Sequence, residues 1–315
     1  TEEGNWENQN ILNLNKTRTI KEIKYDKGLL NILFHERKKR TFPNIDKKIL
    51  TDSNSLMINA LANAGWVFNQ KGWLSEAENA YSFLLNNLME GDELYHSWKD
   101  SKLKTFATLD DYTNIMRCSI TLYERIGKKE YLDNAINFSK KILKEFKDKK
   151  KSGFFINSSK TVDVFTKIKS IYDNVVPSGI SLLIQSLAKL FYLTGNSFYY
   201  DEAQLAIKSV SGNINKNFFS SASLINANDV LQNGVQIVFL RKEGGSDNEL
   251  LNKIKKQYLP NVIYLEIKKS EHLLKTHPAY GKKKLNGKDT LYICQNQKCS
   301  LPINDFSDFI VNFSR

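Results

Sequence analysis

A repeated helix–turn–helix pattern constrains the fold of this 315-residue chain more than any other feature. Between about Ser53 and Leu231, apolar residues recur at spacings of three and four, which is typical of amphipathic helices packed on a core. In three places a helical stretch stops near a glycine, an aromatic and an acidic residue follow, and a new helix begins with an alanine. The alanines are Ala77, Ala135 and Ala203. The pattern predicts a series of helical hairpins.

In each copy, the glycine is expected to end one helix and the acidic residue to lie in the first turn of the next, because carboxylates complement the positive end of the helix dipole. The glycines are Gly72, Gly127 and Gly195, and the acidic residues are Glu76, Asp133 and Asp201. The alanines lie 58 and 68 residues apart (135 − 77 and 203 − 135). Hairpins of this size stack into a solenoid or close into an α/α toroid, and they are too long for repeats of about 34 residues.

The pattern changes after about Asn233. Val235–Leu240 and Val262–Ile267 are predicted strands on either side of a predicted helix, Asn248–Tyr258, and together they form a parallel, right-handed β-α-β unit. A third strand is predicted at Thr290–Cys294. We therefore divide the chain into a lead-in segment (1–50), a helical-hairpin region (51–232) and a small α/β segment (233–315).

The lead-in segment is polar, with one apolar stretch. That stretch, Gly28–Phe34, predicts a short packed helix, and Pro43 ends any local helix. No apolar run approaches the roughly 20 residues of a membrane-spanning helix, so no membrane partner is predicted. The sequence shows no secretory signal at its start and has three cysteines, so we expect a cytoplasmic protein.

The net charge of +12 raises the question of a nucleic-acid partner. Of the 46 basic residues, 39 are Lys and 7 are Arg, whereas bidentate phosphate recognition favours Arg. The basic runs are not interleaved with aromatics as a single-strand binding platform would be. The glycines in 243–246 do not form a G-x-G-x-x-G fingerprint, so no nucleotide cofactor is expected. Nucleic acid is therefore the weakest of the partner classes.

Two cysteines, Cys294 and Cys299, form a C-x4-C pair near the C-terminal end. Zinc sites usually need a second ligand pair. The third cysteine, Cys118, falls in a helical pattern, and only a mixed set with His272 and His277 would complete a site. We therefore predict no metal and interpret the pair as reduced thiols or a local redox pair.

Seven short motifs occur in order along the chain. They are Glu3–Trp6; Asp46–Leu50 followed by Asn54 and Leu56-Met57; His96-Ser97-Trp98 with Asp100; Leu109–Tyr112; Tyr172-Asp173-Asn174 with Pro177-Ser178-Gly179; Tyr258–Asn261; and Tyr292–Cys294 through Cys299 with Pro302. Their order and spacing resemble the C-terminal half of the bacterial YyaL / spermatogenesis-associated protein 20 family. The resemblance covers essentially the whole chain.

The resemblance implies a mainly α fold: a six-hairpin α/α toroid, similar to N-acylglucosamine 2-epimerases and six-hairpin glycosidases, with a small C-terminal α/β segment. The toroid is expected to be incomplete here. Family members also carry an N-terminal thioredoxin-like domain, which this sequence lacks. The chain departs from the family pattern where Ser53-Asn54-Ser55 replaces Trp-Asn-Gly and Ile180 replaces an Asn. These changes remove an aromatic and an amide expected to face the toroid centre.

Proton transfer on a sugar needs carboxylates or His, and sugar binding needs an aromatic face. We predict His96, Asp111 and Asp173 as catalytic residues, with Asp100 orienting His96 in a loop and Asp46 or Asp173 as the carboxylate partner of Asp111. The predicted substrate-binding residues are Trp98, Asp100, Asp46, Asn54, Tyr112, Tyr172 and Ser178. The structural alternative gives these side chains to helix caps and hairpin ends, with Asp110 and Asp111 complementing a helix dipole.

Two functions follow. The first is a carbohydrate-active or carbohydrate-binding toroid with epimerase-like or glycosidase-like acid/base chemistry. The alternative is a non-catalytic scaffold that binds a protein partner and serves the missing redox domain. An enzyme should bring His96, Asp111 and Asp173 to one accessible pocket, whereas a scaffold should leave them in caps and expose an apolar patch.

Overall fold

The computed structural model describes residues 2–11, 27–162, 164–212, 218–242 and 248–313. The chain forms two compact units, Thr1–Lys47 and Lys48–Arg315. The first unit contains helix α1, Lys27–Lys38, where a short helix is predicted. The apolar residues of α1 are exposed instead of packed. The glycines tested for a nucleotide fingerprint, in 243–246, lie outside the described residues.

The second unit begins with a region of helical hairpins. Its helices are α2 (Thr51–Val67), α3 (Lys71–Asn87), α4 (Leu109–Ile126), α5 (Lys129–Glu145), α6 (Gly179–Thr194), α7 (Ser197–Val210) and α8 (Ala222–Asn233). Each even-numbered helix from α2 to α6 pairs with the helix that follows it, which gives three hairpins. The helices α2, α4, α6 and α8 also pack side by side in one row.

Side-chain contacts show that neighbouring helices of this row run parallel. The Cys118 thiol of α4 donates to the carbonyl of Ser55 in α2. Three residues further along α4, the Thr121 hydroxyl donates to the Asn59 side chain at 2.6 Å. Since the contact positions rise together along both helices, the N-terminal ends of α2 and α4 lie at the same end of the row. That end also carries the candidate site.

The hairpin alanines are fully buried, as close approach of paired helices requires. Gly127 and Gly195 end α4 and α6 with positive φ angles of 80° and 68°, which confirms their predicted capping role. Gly72 does not cap: it lies inside α3, and Asn69 takes the left-handed conformation, with φ of 53°.

The acidic residue of each copy lies beyond the first helical turn, which corrects the sequence-based placement. The reason is that α3, α5 and α7 begin before the aromatic residue of the repeat, about one turn earlier than the pattern suggests. In α5, for example, Asp133 pairs with Lys129 at 2.6 Å along the helix surface instead of facing the helix end.

A small antiparallel sheet, formed by one strand before α2 and three strands between α3 and α4, is absent from the sequence-based prediction. Its strands are β1 (Ile49–Leu50), β2 (Met89–Glu90), β3 (Glu93–Lys99) and β4 (Lys102–Phe106). The segment containing His96 and Trp98 is thus a strand and not a loop. Asp100 and Ser101 form the two-residue turn of the β3–β4 hairpin, with φ angles of 50° and 60°, as such turns require.

The C-terminal segment contains β5 (Val235–Leu240), α9 (Glu249–Lys255), β6 (Val262–Ile267), β7 (Thr290–Gln295), β8 (Lys298–Cys299) and α10 (Phe306–Phe313). The strand order is β6-β5-β7-β8, with β5 and β6 parallel and β7 antiparallel to β5. The predicted parallel pairing of the two strands in the β-α-β unit is confirmed. Cys294 and Cys299 are paired across β7 and β8 and form a disulfide, where reduced thiols were one expectation.

The predicted fold class, a mainly α chain of helical hairpins with a small C-terminal α/β segment, is confirmed. Among the described helices, none is both long enough and apolar enough to cross a membrane. The α/β segment packs against the hairpin region through β6. There the backbone N–H of Tyr264 donates to the buried Glu124 of α4, which also accepts from Lys189 of α6 at 2.7 Å.

Candidate functional site

His96 and Asp111 form a hydrogen-bonded pair at the N-terminal end of the helix row. His96 lies on β3, and Asp111 lies in the first turn of α4. The imidazole Nδ1 is 3.0 Å from Asp111 Oδ2 and 3.1 Å from Oδ1. The Asp111 side chain is fully buried, whereas 32% of the His96 side chain is exposed. The pair therefore joins a fixed carboxylate to an imidazole that solvent can reach.

The hydrogen bond to Asp111 raises the pKa of His96 above its ordinary value, although partial burial of the ring opposes the shift. The negative charges of Asp111 and Asp52 act in the same direction as the hydrogen bond. This is the electrostatic arrangement of an acid/base histidine, because the carboxylate both orients the ring and stabilises its protonated form.

Local backbone geometry fixes the Asp111 carboxylate. Thr108 caps α4, and Asp111 Oδ2 accepts from the Thr108 backbone N–H at 2.8 Å and from its hydroxyl at 2.9 Å. Asp111 Oδ1 accepts from the backbone N–H of Asp52, in the first turn of α2, at 3.1 Å. The spacing of Thr108 and Asp111 is that of a capping box ahead of an apolar run. That signal could have identified Thr108 from the sequence.

Three ligand-type atoms of Asp52, His96 and Asp111 lie within 4.8 Å of one another, as in a small metal site. The existing contacts fit a hydrogen-bonded pair better. Both Asp111 oxygens already accept from backbone N–H groups, and Asp52 Oδ1 accepts from the Ser53 N–H at 2.5 Å. Few lone pairs are left for a cation, so the arrangement favours proton chemistry over metal binding.

Asp110 lies beside this pair and faces the neighbouring helix. Burial raises the pKa of Asp110, although a hydrogen bond from the Gly179 backbone N–H opposes the shift. Gly179 is the first residue of α6, and a Cβ atom there would collide with the Asp110 carboxylate. The glycine therefore permits the close approach of α4 to α6 at this end of the row.

Asp173 serves as a double cap. Its Oδ1 accepts from the Ser178 backbone N–H at 2.9 Å, and its Oδ2 accepts from the Ser223 backbone N–H at 2.8 Å. The carboxylate thus connects the N-terminal ends of α6 and α8. Ser178 is buried and caps α6 through a bond from the Ser181 N–H, and Tyr172 is exposed. These contacts give Asp173 and Ser178 a structural role at the ends of α6 and α8.

The other predicted residues are dispersed. Tyr112 is buried, and its hydroxyl accepts from the Leu94 backbone N–H at 3.0 Å. Trp98 packs edge-to-face on Phe83, with the ring centroids 5.7 Å apart. The remaining three are Asn54, which donates to the Leu50 carbonyl, Asp100, in the hairpin turn, and Asp46, exposed in the first unit.

The partner of His96 is therefore Asp111, and not Asp100 as the sequence suggests. Asp100 is closer along the chain, but it adopts a turn conformation at the tip of the β3–β4 hairpin. Asp111 becomes adjacent only through packing of α4 against the sheet. The structure joins two of the three predicted catalytic residues directly, and both Asp173 oxygens bind backbone N–H groups elsewhere.

Two cavities lie at the other end of the helix row, where the α/β segment meets α2 and α4. Their volumes are 450 and 910 Å3, and they share Arg125, Arg241 and Glu266 as lining residues. Neither cavity is lined by a predicted catalytic residue. No sequence motif indicates these cavities, because their cations come from separate elements that only the fold brings together.

The comparison with solved structures finds sugar-processing proteins at low similarity. A GH76 alpha-mannanase of Bacteroides thetaiotaomicron has a TM-score of 0.48 and 17% identity, covering 66% of this chain and 63% of that one. A cellobiose 2-epimerase of Bacillus thermoamylovorans has a TM-score of 0.44 and 13% identity, covering 52% of this chain and 44% of that one. At such values neither match bears on the chemistry of the site.

No protein-family model matches the chain. Among curated proteins, spermatogenesis-associated protein 20 of Rattus norvegicus is 25% identical over 328 residues, and that of Homo sapiens is 25% identical over 332 residues. Each alignment covers 96% of this chain and 42% of the relative, so the chain spans less than half the length of the proteins it matches. The resemblance predicted from the seven motifs is confirmed: along nearly its whole length, the chain is similar to spermatogenesis-associated protein 20.

Proposed function

We propose that the chain is a carbohydrate-active helical-hairpin region in which His96 transfers protons and Asp111 orients it. The observation that carries the proposal is the 3.0 Å contact between a partly exposed imidazole and a fully buried carboxylate. Asp111 is held by backbone N–H groups of two elements, so its position does not depend on a bound ligand. The choice of a sugar as substrate rests on the family resemblance.

The chemistry follows from the two ring nitrogens of His96. Asp111 engages Nδ1, so the other nitrogen, Nε2, is the one available to a substrate. In an epimerisation, Nε2 accepts the proton from the carbon beside a sugar carbonyl, and the C–H electron pair moves into an enediolate. A proton from water is then added to the opposite face of that carbon, and the His96 imidazolium releases its proton to solvent. Asp111 stabilises the imidazolium formed in between.

Solvent-isotope exchange tests this step across many sugars at once, so the substrate need not be identified beforehand. The chain is incubated in D2O with a panel of reducing mono- and disaccharides, and deuterium at the carbon beside the carbonyl is followed by NMR. We expect incorporation into at least one sugar, with a loss of about 100-fold or more in His96→Gln. His35→Gln is the matched control, because His35 lies on the exposed helix α1 of the other unit and should leave exchange unchanged.

A glycosidase reaction is covered by a second assay, in which new reducing ends are measured with oligosaccharides. The proposal fails if no sugar exchanges or is cleaved, or if His96→Gln and His35→Gln retain equal activity. We extend the same proposal, a carbohydrate-related activity, to any longer protein that contains this region. We also propose a cytoplasmic location. Absence of the chain from the cytosolic fraction of its cells would contradict that location.

A specific surface feature favours the second candidate, a protein-interaction scaffold. Phe165, Val175 and Phe219 are almost completely exposed, and Asp173, the cap of α6 and α8, lies between them in sequence. Exposed apolar side chains are typical of protein-binding surfaces when they form a contiguous patch. If the enzyme assays are negative, replacing Phe165 and Phe219 by Ser should abolish binding of a partner protein, with folding unchanged by circular dichroism.

A further inference from the structure

A third cavity, of 250 Å3, lies where the C-terminal ends of α6 and α8 and the start of α7 meet the β7–β8 hairpin. Two partly exposed aromatic rings, Phe191 and Tyr200, form part of its lining. Although 25% of the residues in the chain are charged, none of the described residues that line this cavity carries a charge. We call it the amide pocket, after its side-chain amides: Gln232, Gln236, Gln295, Asn296 and Gln297.

The turn between β7 and β8 supplies three of the five amides. Gln295, Asn296 and Gln297 are exposed, and their side chains have no hydrogen-bond partner among the residues that the structure describes. Each amide offers one carbonyl oxygen and two N–H donors. These groups are therefore open to a ligand that both donates and accepts hydrogen bonds, as a hydroxyl group does.

The backbone of this turn supplies an independent indication. Asn296 and Gln297 connect the paired residues Gln295 and Lys298, and their φ angles are 51° and 62°. Two-residue turns with two positive φ angles favour Asn followed by Gly, because glycine adopts this conformation without steric strain. Glutamine has no such advantage, so Gln297 is unfavourable to the turn while its side chain lines the pocket. Such departures from backbone preference point to a function of the side chain.

The disulfide between Cys294 and Cys299 holds the same turn in place. It joins the residues on either side of the four-residue segment 295–298, and Cys294 also lines the pocket. Strand β7 is paired with β5 as well, so the turn is attached to the middle of the sheet. Restricting the amides before a ligand arrives reduces the entropy that binding costs.

Phe191 and Tyr200 form the aromatic wall of the pocket. Phe191 lies in the last turn of α6 and Tyr200 in the first turn of α7, with the ring centroids 5.3 Å apart and the ring planes 59° apart. The wall is thus an angled apolar surface and not a parallel-sided slot for a flat ring. An angled surface suits a puckered ring that presents C–H groups, whereas a planar base stacks parallel to an aromatic ring.

We propose that the amide pocket binds a neutral sugar unit, with the amides recognising its hydroxyl groups and the aromatic wall contacting its C–H face. The uncharged lining disfavours sugar phosphates and nucleotides, because phosphate groups are usually bound by Arg or Lys. The choice of a neutral sugar rests on this lining and not on the family resemblance.

The amide pocket is distinct from the His96–Asp111 pair. Asp110, beside that pair, contacts Gly179 at the N-terminal end of α6, whereas Phe191 lies near the other end of the same helix. Twelve residues of helix (191 − 179) separate the two positions, or about 18 Å. Occupancy of the pocket therefore does not depend on the reaction proposed for His96, and a negative exchange assay leaves this proposal standing.

Binding is measured by saturation-transfer NMR on the full 315-residue chain, without reductant so that the disulfide stays intact. The probes are glucose, mannose, galactose and N-acetylglucosamine, and the nucleosides adenosine and uridine are titrated in parallel. We expect saturable binding of at least one sugar, weaker binding of both nucleosides and no change in affinity on addition of NaCl, because the ligand is neutral. Absence of saturable binding by every sugar, or tighter binding of a nucleoside than of any sugar, overturns the proposal.

Two hairpin turns of the same kind provide matched variants. Gln297→Gly gives the β7–β8 turn the favoured Asn-Gly sequence, so we expect a melting temperature at least as high as that of the original chain. Sugar binding should nevertheless weaken about fivefold, the effect of losing one hydrogen bond. Ser101→Gly makes the equivalent change in the β3–β4 turn, where φ is 60°, and should leave binding unchanged because Ser101 does not line the pocket. Unchanged binding in Gln297→Gly, or equal weakening in the two variants, contradicts the assignment.

Tyr200→Leu tests the aromatic wall. Its control is Phe198→Leu, because Phe198 lies in the same turn of α7, is 48% exposed and does not line the pocket. We expect Tyr200→Leu to weaken sugar binding about fivefold or more and Phe198→Leu to leave it unchanged. Thermal unfolding of both variants is measured first, and if Tyr200→Leu does not fold, the Gln297→Gly comparison decides. A folded Tyr200→Leu chain that binds sugar as tightly as the original chain overturns the proposal.

Discussion

Replacing Asp111 by Asn tests the reasoning about the candidate site, because it removes one charge and one acceptor with almost no change in shape. Asp111 accepts from Thr108 and Asp52 backbone N–H groups on its two different oxygens. Asparagine offers one oxygen, so whichever way the amide is turned, one buried N–H loses its acceptor. That loss costs about 1–3 kcal/mol, and weakening of the helix cap adds about 1 kcal/mol.

We therefore expect the free energy of unfolding to fall by about 3 kcal/mol, or the melting temperature by about 8 °C for a chain of this size. Urea denaturation and scanning calorimetry measure the two quantities. Asp110→Asn is the matched control. It removes the neighbouring charge but keeps an oxygen for the Gly179 N–H, and burial already raises the pKa of Asp110, so we expect a cost below about 1 kcal/mol.

The pH dependence gives the second half of this test. The pKa of His96 is raised in the folded chain, so the bond to Asp111 contributes most below the unfolded value of about 6.5 and is lost as pH rises through the folded value. The penalty of Asp111→Asn should thus be larger at about pH 5.5 than at about pH 8.5. NMR titration should show a lower pKa for His96 in the variant. Equal penalties at both pH values, or a control as costly as Asp111→Asn, would refute the reasoning.

Three further predictions concern other parts of the fold. Burial lowers the pKa of His277 to about 4, so the folded chain favours the neutral ring and should lose about 3 kcal/mol of stability as pH falls from about 6.5 to 4. His277→Asn should remove this loss from the pH dependence of the unfolding free energy, measured with urea. Gly195→Ala should lower the free energy of unfolding by more than about 3 kcal/mol, measured by calorimetry, because Gly195 has a positive φ and an added Cβ would collide with backbone atoms of Thr276 and His277. Gly72→Ala is the control: an added Cβ meets open space inside α3, so the change should stabilise the fold by about 0.5–1 kcal/mol. Lys189→Met leaves Glu124 buried without its ion pair and should cost about 3–5 kcal/mol, and a cost below about 1 kcal/mol in urea would contradict this.

The accuracy of the sequence-based predictions follows the strength of the local pattern. The predicted strands Val235–Leu240 and Val262–Ile267 have their observed bounds, because a buried parallel strand is a nearly continuous run of β-branched and other apolar residues, here with one polar residue in each strand. The strand Glu93–Lys99 escapes prediction. It alternates polar and apolar residues irregularly and lies between two helices, where a loop is equally consistent with its composition.

For the candidate site, too, local sequence predicts the residues but not their contacts. Residue type singles out both His96 and Asp111, but their contact is not predictable, since 15 residues and a β-hairpin separate them. Proximity along the chain favours Asp100 instead. The cavity beside Arg125 is beyond sequence reasoning altogether, because Lys71, Arg125 and Lys255 are brought together by three different helices. Local pattern identifies elements and caps, whereas tertiary packing determines which charged groups meet.

The parallel helix row gives its two ends opposite electrostatic character, and this separates structural from functional charges. Carboxylates at the N-terminal end and cations at the C-terminal end are favoured by the helix dipoles alone. Asp173 needs no further explanation, because backbone N–H groups engage both its oxygens. The partly exposed ring of His96 is different, because neither a helix dipole nor a cap requires it. Groups that depart from local rules without a structural gain are where function is expected, which is why the proposed function rests on His96.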